Sequence, residues 1–598
     1  MQAKVVLLVL LGACGQAPEP PSSDVRESLR DSGEGSRSPD SSDSGEVPTE
    51  SASGAPPQPA PSSPANAGKA PFRFADASAG SGLEFVNVSG SRDQDYVLES
   101  MSTAAAFADY DGDGFLDLFA VNGTRLTGTA EGAGNRLFRN EPDPKEGSGS
   151  ARRFREVEAG LGPSGWGMGC AAGDYDNDGD VDFHVTYWGP NRLYRNDGGD
   201  FAEVAASAGV ADRGWGSSAA FADLDADGLL DLYVTNYLEF DLERPPGGGG
   251  KCLYKGLNVF CGPAYAPRQR DRLYRNEGGG TFADVSAAAG VEAHRLPGLG
   301  VVFGDFDGDA DQDIYVANDG EPNLLFRNDG GWRFAEIART AGAAYSLDGM
   351  AQASMGVHAG DFDNDGDLDL FTTNFSDEYN TLYRNGGGGS FEDATGEAGL
   401  GENALPFLGW GTGFVDFDND GWLDLFVANG HLHPELDRSF LGLFYAQRNL
   451  LYHNRGGRFV EVGAGSGGVW SIEKVSRAAA VGDYDNDGDA DLFVMNLNDT
   501  PTLLRNDSGG GSGWLGLRLT GTESNRDAIG ARVKVRGGGM EQVREVQRGY
   551  SFQAQNDPRL LFGLGGGKVG EVEILWPSGR RQLIADPPPG RYLKVREP

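Results

Sequence analysis

Apolar and polar positions follow one pattern that recurs seven times along the chain. Each unit opens with small or apolar residues, as in AAFA, CAAG, VVFG and AAVG. A polar stretch of the form D-x-D-x-D-G-x-x-D comes next. An alternating run follows (LFAV, FHVT, LYVT, IYVA, LFTT, LFVA, LFVM), ending in Asn at 122, 236, 318, 374, 429 and 496 and in Tyr187 in the second unit. A further run, L-[FYL]-[RH]-N, ends at Asn140, Asn196, Asn276, Asn328, Asn385, Asn454 and Asn506. After Gly-rich turns comes F-x-[DE]. Period-two alternation rich in Phe, Tyr and Val predicts β-strands. Four strands per unit is the size of one propeller blade.

The strand count predicts how the repeat closes. F-x-[DE] follows the first six units, at Phe154, Phe201, Phe282, Phe334, Phe391 and Phe459, and is missing after the seventh. A spare copy, FADA, begins at Phe74. An N-terminal strand that completes the last blade removes the exposed edges of an open array. The expected fold is therefore all-β: a seven-bladed propeller over residues 71–508. Residues 509–598 read as further short strands (WLGLRLTG, GARVKVRG, QVREVQRG, EVEILWPSG) between Gly turns, predicting a small sandwich-like domain packed against the ring. It carries Arg526, Arg532, Arg544, Arg548, Arg580 and Arg581, which either dock acidic ligands or balance the charge of the ring.

The polar stretches carry the candidate chemistry. They supply Asp109, Asp111, Asp113 and Asp117; Asp174, Asp176, Asp178 and Asp182; Asp223, Asp225, Asp227 and Asp231; Asp305, Asp307, Asp309 and Asp313; Asp361, Asp363, Asp365 and Asp369; Asp416, Asp418, Asp420 and Asp424; and Asp483, Asp485, Asp487 and Asp491. Ca²⁺ takes six to eight oxygens, and Asp at positions 1, 3, 5 and 9 of a tight loop converges carboxylates on one point. Mg²⁺ suits them less, because it prefers fewer protein ligands in strict octahedral geometry. Position 12, the Glu of an EF-hand, is here Ala120, Val185, Val234, Val316, Thr372, Val427 or Val494. The loops therefore join strands, and the expectation is about one Ca²⁺ per blade. In the fourth loop Ala310 replaces Gly, where a left-handed backbone costs roughly 1 kcal/mol. That site is expected to be the weakest.

Composition narrows the partners. The net charge is −39, so nucleic acid and anionic membrane surfaces, which need basic patches, are excluded as partners. Lys4, the apolar run at 5–11 and the Leu-Gly-Ala-Cys stretch ending at Cys14 resemble a lipoprotein signal over residues 1–13 with lipidation at Cys14; the plainer reading is an ordinary signal peptide. Residues 14–70, rich in Pro, Ser and acids, predict a solvated tether. Membrane attachment is expected only through that lipid. In such an extracytoplasmic compartment Cys252 and Cys261 are expected to pair. Cys170, His184 and His453 read as structural. His431 and His433 sit on a loop outside the strands and form a candidate ligand pocket. Trp166, Trp215 and Trp410 fall at blade starts, as core or as a binding platform. No nucleophile elbow, P-loop or HExxH is present, and no catalytic residue is assigned.

These residues resemble FG-GAP/VCBS repeats of integrin-α-type propellers. The arrangement is similar to bacterial members of the cartilage acidic protein 1 family: NRDAIGARVKV at 525–535, REVQRGYSFQAQND, FGLG and VEILWPSG resemble an ASPIC/UnbV domain. CLYKGLNVFCGP at 252–263 and ANGHLHPELD at 428–437 resemble family insertions. The resemblance implies calcium binding and an extracytoplasmic location, and no settled activity. The expected function is a surface-tethered binding, adhesion or scaffold module for a glycan or an envelope or extracellular protein. The alternative is a carbohydrate-active lyase or hydrolase with a pocket near His431 and His433.

Overall fold

The computed structural model describes residues 72–598 apart from 129, 131, 145–150, 162–164, 467 and 510–512. The expected signal, Cys14 and the tether lie outside the described residues. The seven units fold into seven antiparallel sheets of the expected strands. Blade two shows the plan: Gly167–Gly173, Asp182–Tyr187, Arg192–Asp197 and Asp200–Glu203 form a meander, with Cys170 opposite Val185 and Gly173 opposite Asp182. In blade seven the fourth strand is Phe74–Asp76, paired to Thr502–Asn506 with Phe74 opposite Asn506. The N-terminal strand closes the ring.

The small residues of each opening run are explained by crowding at the axis. The innermost strands are Ala105–Ala108, Gly167–Gly173, Gly216–Ala222, Gly298–Gly304, Val357–Gly360, Gly409–Val415 and Ser476–Gly482. Each packs against its neighbour in the next blade, and the seventh packs against the first. A Cβ on Gly356 of blade five would lie 2.1 Å from the carbonyl oxygen of Trp410 in blade six. One on Gly169 of blade two would lie 2.4 Å from that of Ser217 in blade three. No larger residue fits without moving the adjacent backbone.

The C-terminal segment forms two packed sheets. One joins Leu560–Gly563, Trp514–Thr520 and Tyr592–Arg596; the other joins Met540–Glu545, Arg532–Gly537, Val569–Leu575 and Arg581–Ala585. Their buried side chains, including Leu517, Val533, Phe562 and Trp576, continue into those of blades two and three, such as Tyr175 and Leu230.

This domain does more than pack against the ring, which is all the sequence predicted. Its segment 549–557 enters the axis between the inner strands. Ala554–Gln555 adds to blade one as a parallel strand, with Ala105 opposite Ala554. Ser551 exchanges backbone hydrogen bonds with Val357 of blade five. The Ser551 hydroxyl accepts from the Thr412 N–H of blade six at 2.9 Å and donates to the Ala479 carbonyl of blade seven at 3.0 Å. Asn556 Oδ1 accepts the Val481 N–H at 2.6 Å. One short segment thus ties four blades to one another. Gly356→Ala is expected to destabilise the ring by about 1–3 kcal/mol through overpacking; a denaturant midpoint unchanged from wild type would show that the inner strands are not in contact.

Candidate cation loops

Each Asp-rich stretch joins an inner strand to the second strand of its blade, and backbone geometry explains its composition. Position 4 is left-handed in all seven loops: Gly112, Asn177, Ala226, Gly308, Asn364, Asn419 and Asn486 have φ of 56–84°. Position 6 is left-handed as well, from φ 76° at Ala310 to 105° at Gly179. Gly and Asn tolerate this region, so the G-or-N preference at position 4 is a signal that the sequence reading passed over. In six loops the first Asp accepts the position-6 N–H at 2.8–3.2 Å. In loop four Asp305 also accepts the Gly308 N–H, at 2.8 Å.

The ninth Asp binds backbone on both sides. One oxygen accepts the N–H of the second loop residue at 2.9–3.2 Å. The other accepts the N–H of the Asn that ends the third strand, at 2.8–2.9 Å. The side chain of that Asn donates to a carbonyl in the preceding blade's loop at 2.8–2.9 Å, all the way round the ring. Each oxygen of the ninth Asp keeps a second lone pair.

The structure gathers the first, third and ninth carboxylates of loops one, two and three, with one oxygen of each within 4.8 Å of the others; in loop four the group is Asp305, Asp307 and Asp309. Asp176, Asp363, Asp418 and Asp485, each at position 3, have a buried Oδ1 with no hydrogen-bond partner. The fifth Asp turns one oxygen to a backbone N–H two residues on, as Asp227 does to Leu229 at 2.9 Å.

Loop six has a neighbour that the sequence reading classed as structural. His453 stands where the other six blades carry Arg139, Arg195, Arg275, Arg327, Arg384 and Arg505. Its Nε2 lies 3.5 Å from Asp418 Oδ2 and 3.8 Å from Asp420 Oδ2. Its Nδ1 accepts from Arg455 Nε at 3.4 Å, which leaves the proton on Nε2, facing the carboxylates.

Two of the six singled-out arginines, with two that were not, meet the loops. Arg518 Nη1 lies 2.6 Å from Asp109 Oδ2, Arg526 Nε 3.5 Å from Asp174 Oδ2, and Arg532 Nη1 3.4 Å from Asp305 Oδ2. Arg559 donates to the Asp483 carbonyl at 2.6 Å, and the Tyr592 hydroxyl donates to Asp483 Oδ2 at 2.8 Å. Arg548 pairs with Asp527 inside its own domain, while Arg580 pairs with Glu523 and Arg581 with Glu573. Arg518, Arg559 and Tyr592 carry no local motif, and only docking reveals their role.

Burial raises these carboxyls. Asp117 is pushed up to about 8 and Asp182 and Asp369 to about 9, against the lowering effect of their backbone donors. Asp416 rises to about 8 and Asp361 to about 7, with the Arg544 charge opposing both.

Of the remaining singled-out residues, Cys170 and His184 lie within the strands of blade two and the others at the far end of the ring. Cys252 and Cys261 form a disulfide with Cα atoms 5.0 Å apart, closing the hairpin Cys252–Tyr254/Leu257–Val259. Cys170 is a buried free thiol. His184 is fully buried, with neither ring nitrogen hydrogen-bonded. Trp166, Trp215 and Trp410 are buried in one apolar cluster. His431 is buried, and its Nδ1 accepts the His433 N–H at 3.2 Å. Its Nε2 therefore carries the proton and donates to Ser376 Oγ at 3.1 Å, so His431 is not a base for that hydroxyl. His433 Nδ1 is buried without a partner.

With this geometry in place, known proteins can be compared. A family model described as ASPIC and UnbV matches residues 521–598. One described as an FG-GAP-like repeat matches 109–185, 174–234, 258–316, 305–372 and 361–427. The ring thus carries FG-GAP-like repeats and the C-terminal domain an ASPIC and UnbV segment. Cartilage acidic protein 1 of Mus musculus is 27% identical over 310 residues, covering 50% of this chain and 44% of the relative. The Homo sapiens protein is 27% identical over 307 residues, covering 50% and 43%. The chain thus spans less than half the length of these relatives. Among solved structures, an Agrocybe aegerita lectin recognising terminal N-acetylglucosamine is similar at 16% identity and TM-score 0.38, covering 67% of this chain and 86% of its own. The BP39L lectin of Burkholderia pseudomallei is similar at 10% identity and TM-score 0.39, covering 69% and 97%. Likenesses this distant bear on neither ligand nor activity.

The raised carboxyls set a pH dependence for the chain stripped of divalent ions. The folded state holds protons that the unfolded chain releases near the ordinary carboxyl value of 3.8. Stability is therefore fully present below that value and is lost as pH rises through about 7 to 9. The melting temperature in chelator is expected to fall steadily from pH 5 to pH 9. A flat profile would mean that the loop carboxylates are not desolvated.

Proposed function

We propose that the chain is an extracytoplasmic calcium-binding propeller, one Ca²⁺ in each of seven loops, acting as a tethered binding or scaffold module for a glycan or an envelope protein. The observation that carries the calcium reading is the set of buried, donor-free oxygens on Asp176, Asp363, Asp418 and Asp485, beside the desolvated carboxyls at positions 1 and 9. An all-oxygen donor set on a tight loop suits a hard cation. When bound, the ion supplies the positive charge that lets these carboxylates ionise in a desolvated site. Asp at positions 1, 3, 5 and 9 would hold it, with the Asn of the third strand orienting the ninth.

A binding role is favoured over a lyase or hydrolase by the chemistry of the histidines. Burial holds His433 down at about 4, and His431 lies well below its ordinary value. Neither is poised near neutral pH, where a general base works best. Attachment through Cys14 would place the ring outside the membrane on its acidic tether. Among the described residues no helix is long and apolar enough to cross a membrane.

Calcium added to chelated protein should raise the melting temperature by several degrees, because a ligand that binds only the folded state stabilises it. No rise at millimolar Ca²⁺ would refute structural calcium. In loop four, Ala310→Gly should stabilise the protein by about 0.5–1 kcal/mol by relieving the left-handed alanine. Cys14→Ser should move the protein from the membrane to the soluble fraction; retention would refute lipid anchoring.

A further inference from the structure

The end of the ring opposite the cation loops holds a cleft of about 210 Å³ beneath the disulfide hairpin. Its floor is apolar: Leu299, Met355 and Trp410 come from the starts of inner strands, and Tyr237 and Phe260 stand as walls. Leu253 and Tyr265 are exposed at the rim, 76% and 59% respectively.

One carboxylate sits in this lining. Asp319 follows the Asn that ends the second strand of blade four. At the same place the other blades carry Gly123, Trp188, Tyr237, Phe375, Gly430 and Leu497. Only blade four brings an acid to the cleft. Asp319 Oδ2 accepts the Tyr237 hydroxyl at 2.5 Å, and its backbone N–H donates to Pro297 at 3.0 Å, which fixes its position. It makes no ion pair among the described residues. Three cations at this end pair elsewhere, Arg268 with Glu321, Lys251 with Asp95 and Lys255 with Asp377, while Arg477, stacked on Trp410 at 4.2 Å, spends its donors on the Ser100, Gly430 and His431 carbonyls. Glu378, half-buried and acidic, adds negative potential rather than relieving it.

A carboxylate drawn half out of water without a counter-charge carries a desolvation cost. Its environment describes what would repay the cost. The lining is aliphatic and aromatic, so the complement needs an apolar body. The one charge is negative, so the complement carries a single positive group. Aromatic walls also favour an organic cation over a hydrated metal ion. We propose that this cleft binds an alkylammonium group, its nitrogen on Asp319 and its hydrocarbon against Met355, Leu299 and Trp410.

This site is separate from the loops, so its failure would leave the calcium reading untouched. The test uses the calcium-loaded mature chain and hexylammonium chloride, read by calorimetry and by the fluorescence of the cleft tryptophan. Hexan-1-ol is the neutral isostere. Hexylammonium should bind at least tenfold more tightly than hexanol. Asp319→Asn, which can still accept from Tyr237, should erase that preference while leaving hexanol affinity and the melting temperature in place. Met355→Trp, which fills the cleft and leaves Asp319 alone, should abolish binding of both and decides the matter if the first variant does not fold. N-acetyl-lysine methylamide carries the same cation on a peptide backbone: tighter binding of it assigns the group to a lysine of a partner protein, and tighter binding of hexylammonium assigns it to a free amine. Absence of hexylammonium binding, equal affinity for hexanol, or wild-type binding by Asp319→Asn would overturn the proposal.

Discussion

The ninth aspartate of each loop takes one backbone N–H from its own loop and one from the third strand of its blade, and the asparagine that supplies the second reaches back to the blade before it. This arrangement, repeated seven times, is what the rest of the ring depends on. It fixes the loop, the order of the strands and the spacing between blades with one carboxylate and one amide. Both groups are buried, so losing either strands the donors or acceptors of two blades, at about 1–3 kcal/mol for each unsatisfied group. Four loops add a second link, in which Asn177, Asn364, Asn419 and Asn486 donate at 2.9–3.2 Å to the position-6 carbonyl of the following loop.

That constraint has an electrostatic consequence. A carboxylate buried deeply enough to hold backbone is desolvated, and its neighbours at positions 1 and 3 share the penalty. The protein meets part of it with its own C-terminal domain, whose Arg518, Arg526 and Arg532 reach the first aspartates of loops one, two and four. The same face of the domain sends residues 549–557 into the axis. Any event that alters the charge of the loops therefore acts on the contacts that seat the domain.

The two ends of the ring thus differ in kind. One end is acidic, built of loops and covered by the chain itself. The other carries the disulfide hairpin, the buried tryptophans and the cleft at Asp319. Several large exposed apolar side chains, among them Leu253, Leu347, Met350, Phe440 and Phe444, sit in connections at this end. A recognition surface is most economically placed there, since no domain among the described residues covers it.

Much of this was legible in the chain. Period-two alternation determined the strands, and the missing seventh F-x-[DE] with its spare copy at Phe74 determined the closure, because both depend on local order and on a count. The regular offsets of Asp put the first and third carboxylates side by side, while the fold decides whether the ninth joins them, as in loops one to three, or the fifth, as in loop four. Tertiary structure alone decided the rest. The role of the repeated Asn depends on a carbonyl in another blade, often about a hundred positions away. The segment 549–557 has no periodicity, and its partners come from four separate blades. Asp319 reads as one acid among 89 Asp and Glu residues until the fold sets it, half-buried, in a cleft without an ion-pair partner among the described residues. Local pattern encodes elements, whereas desolvation and charge pairing are properties of the assembled ring.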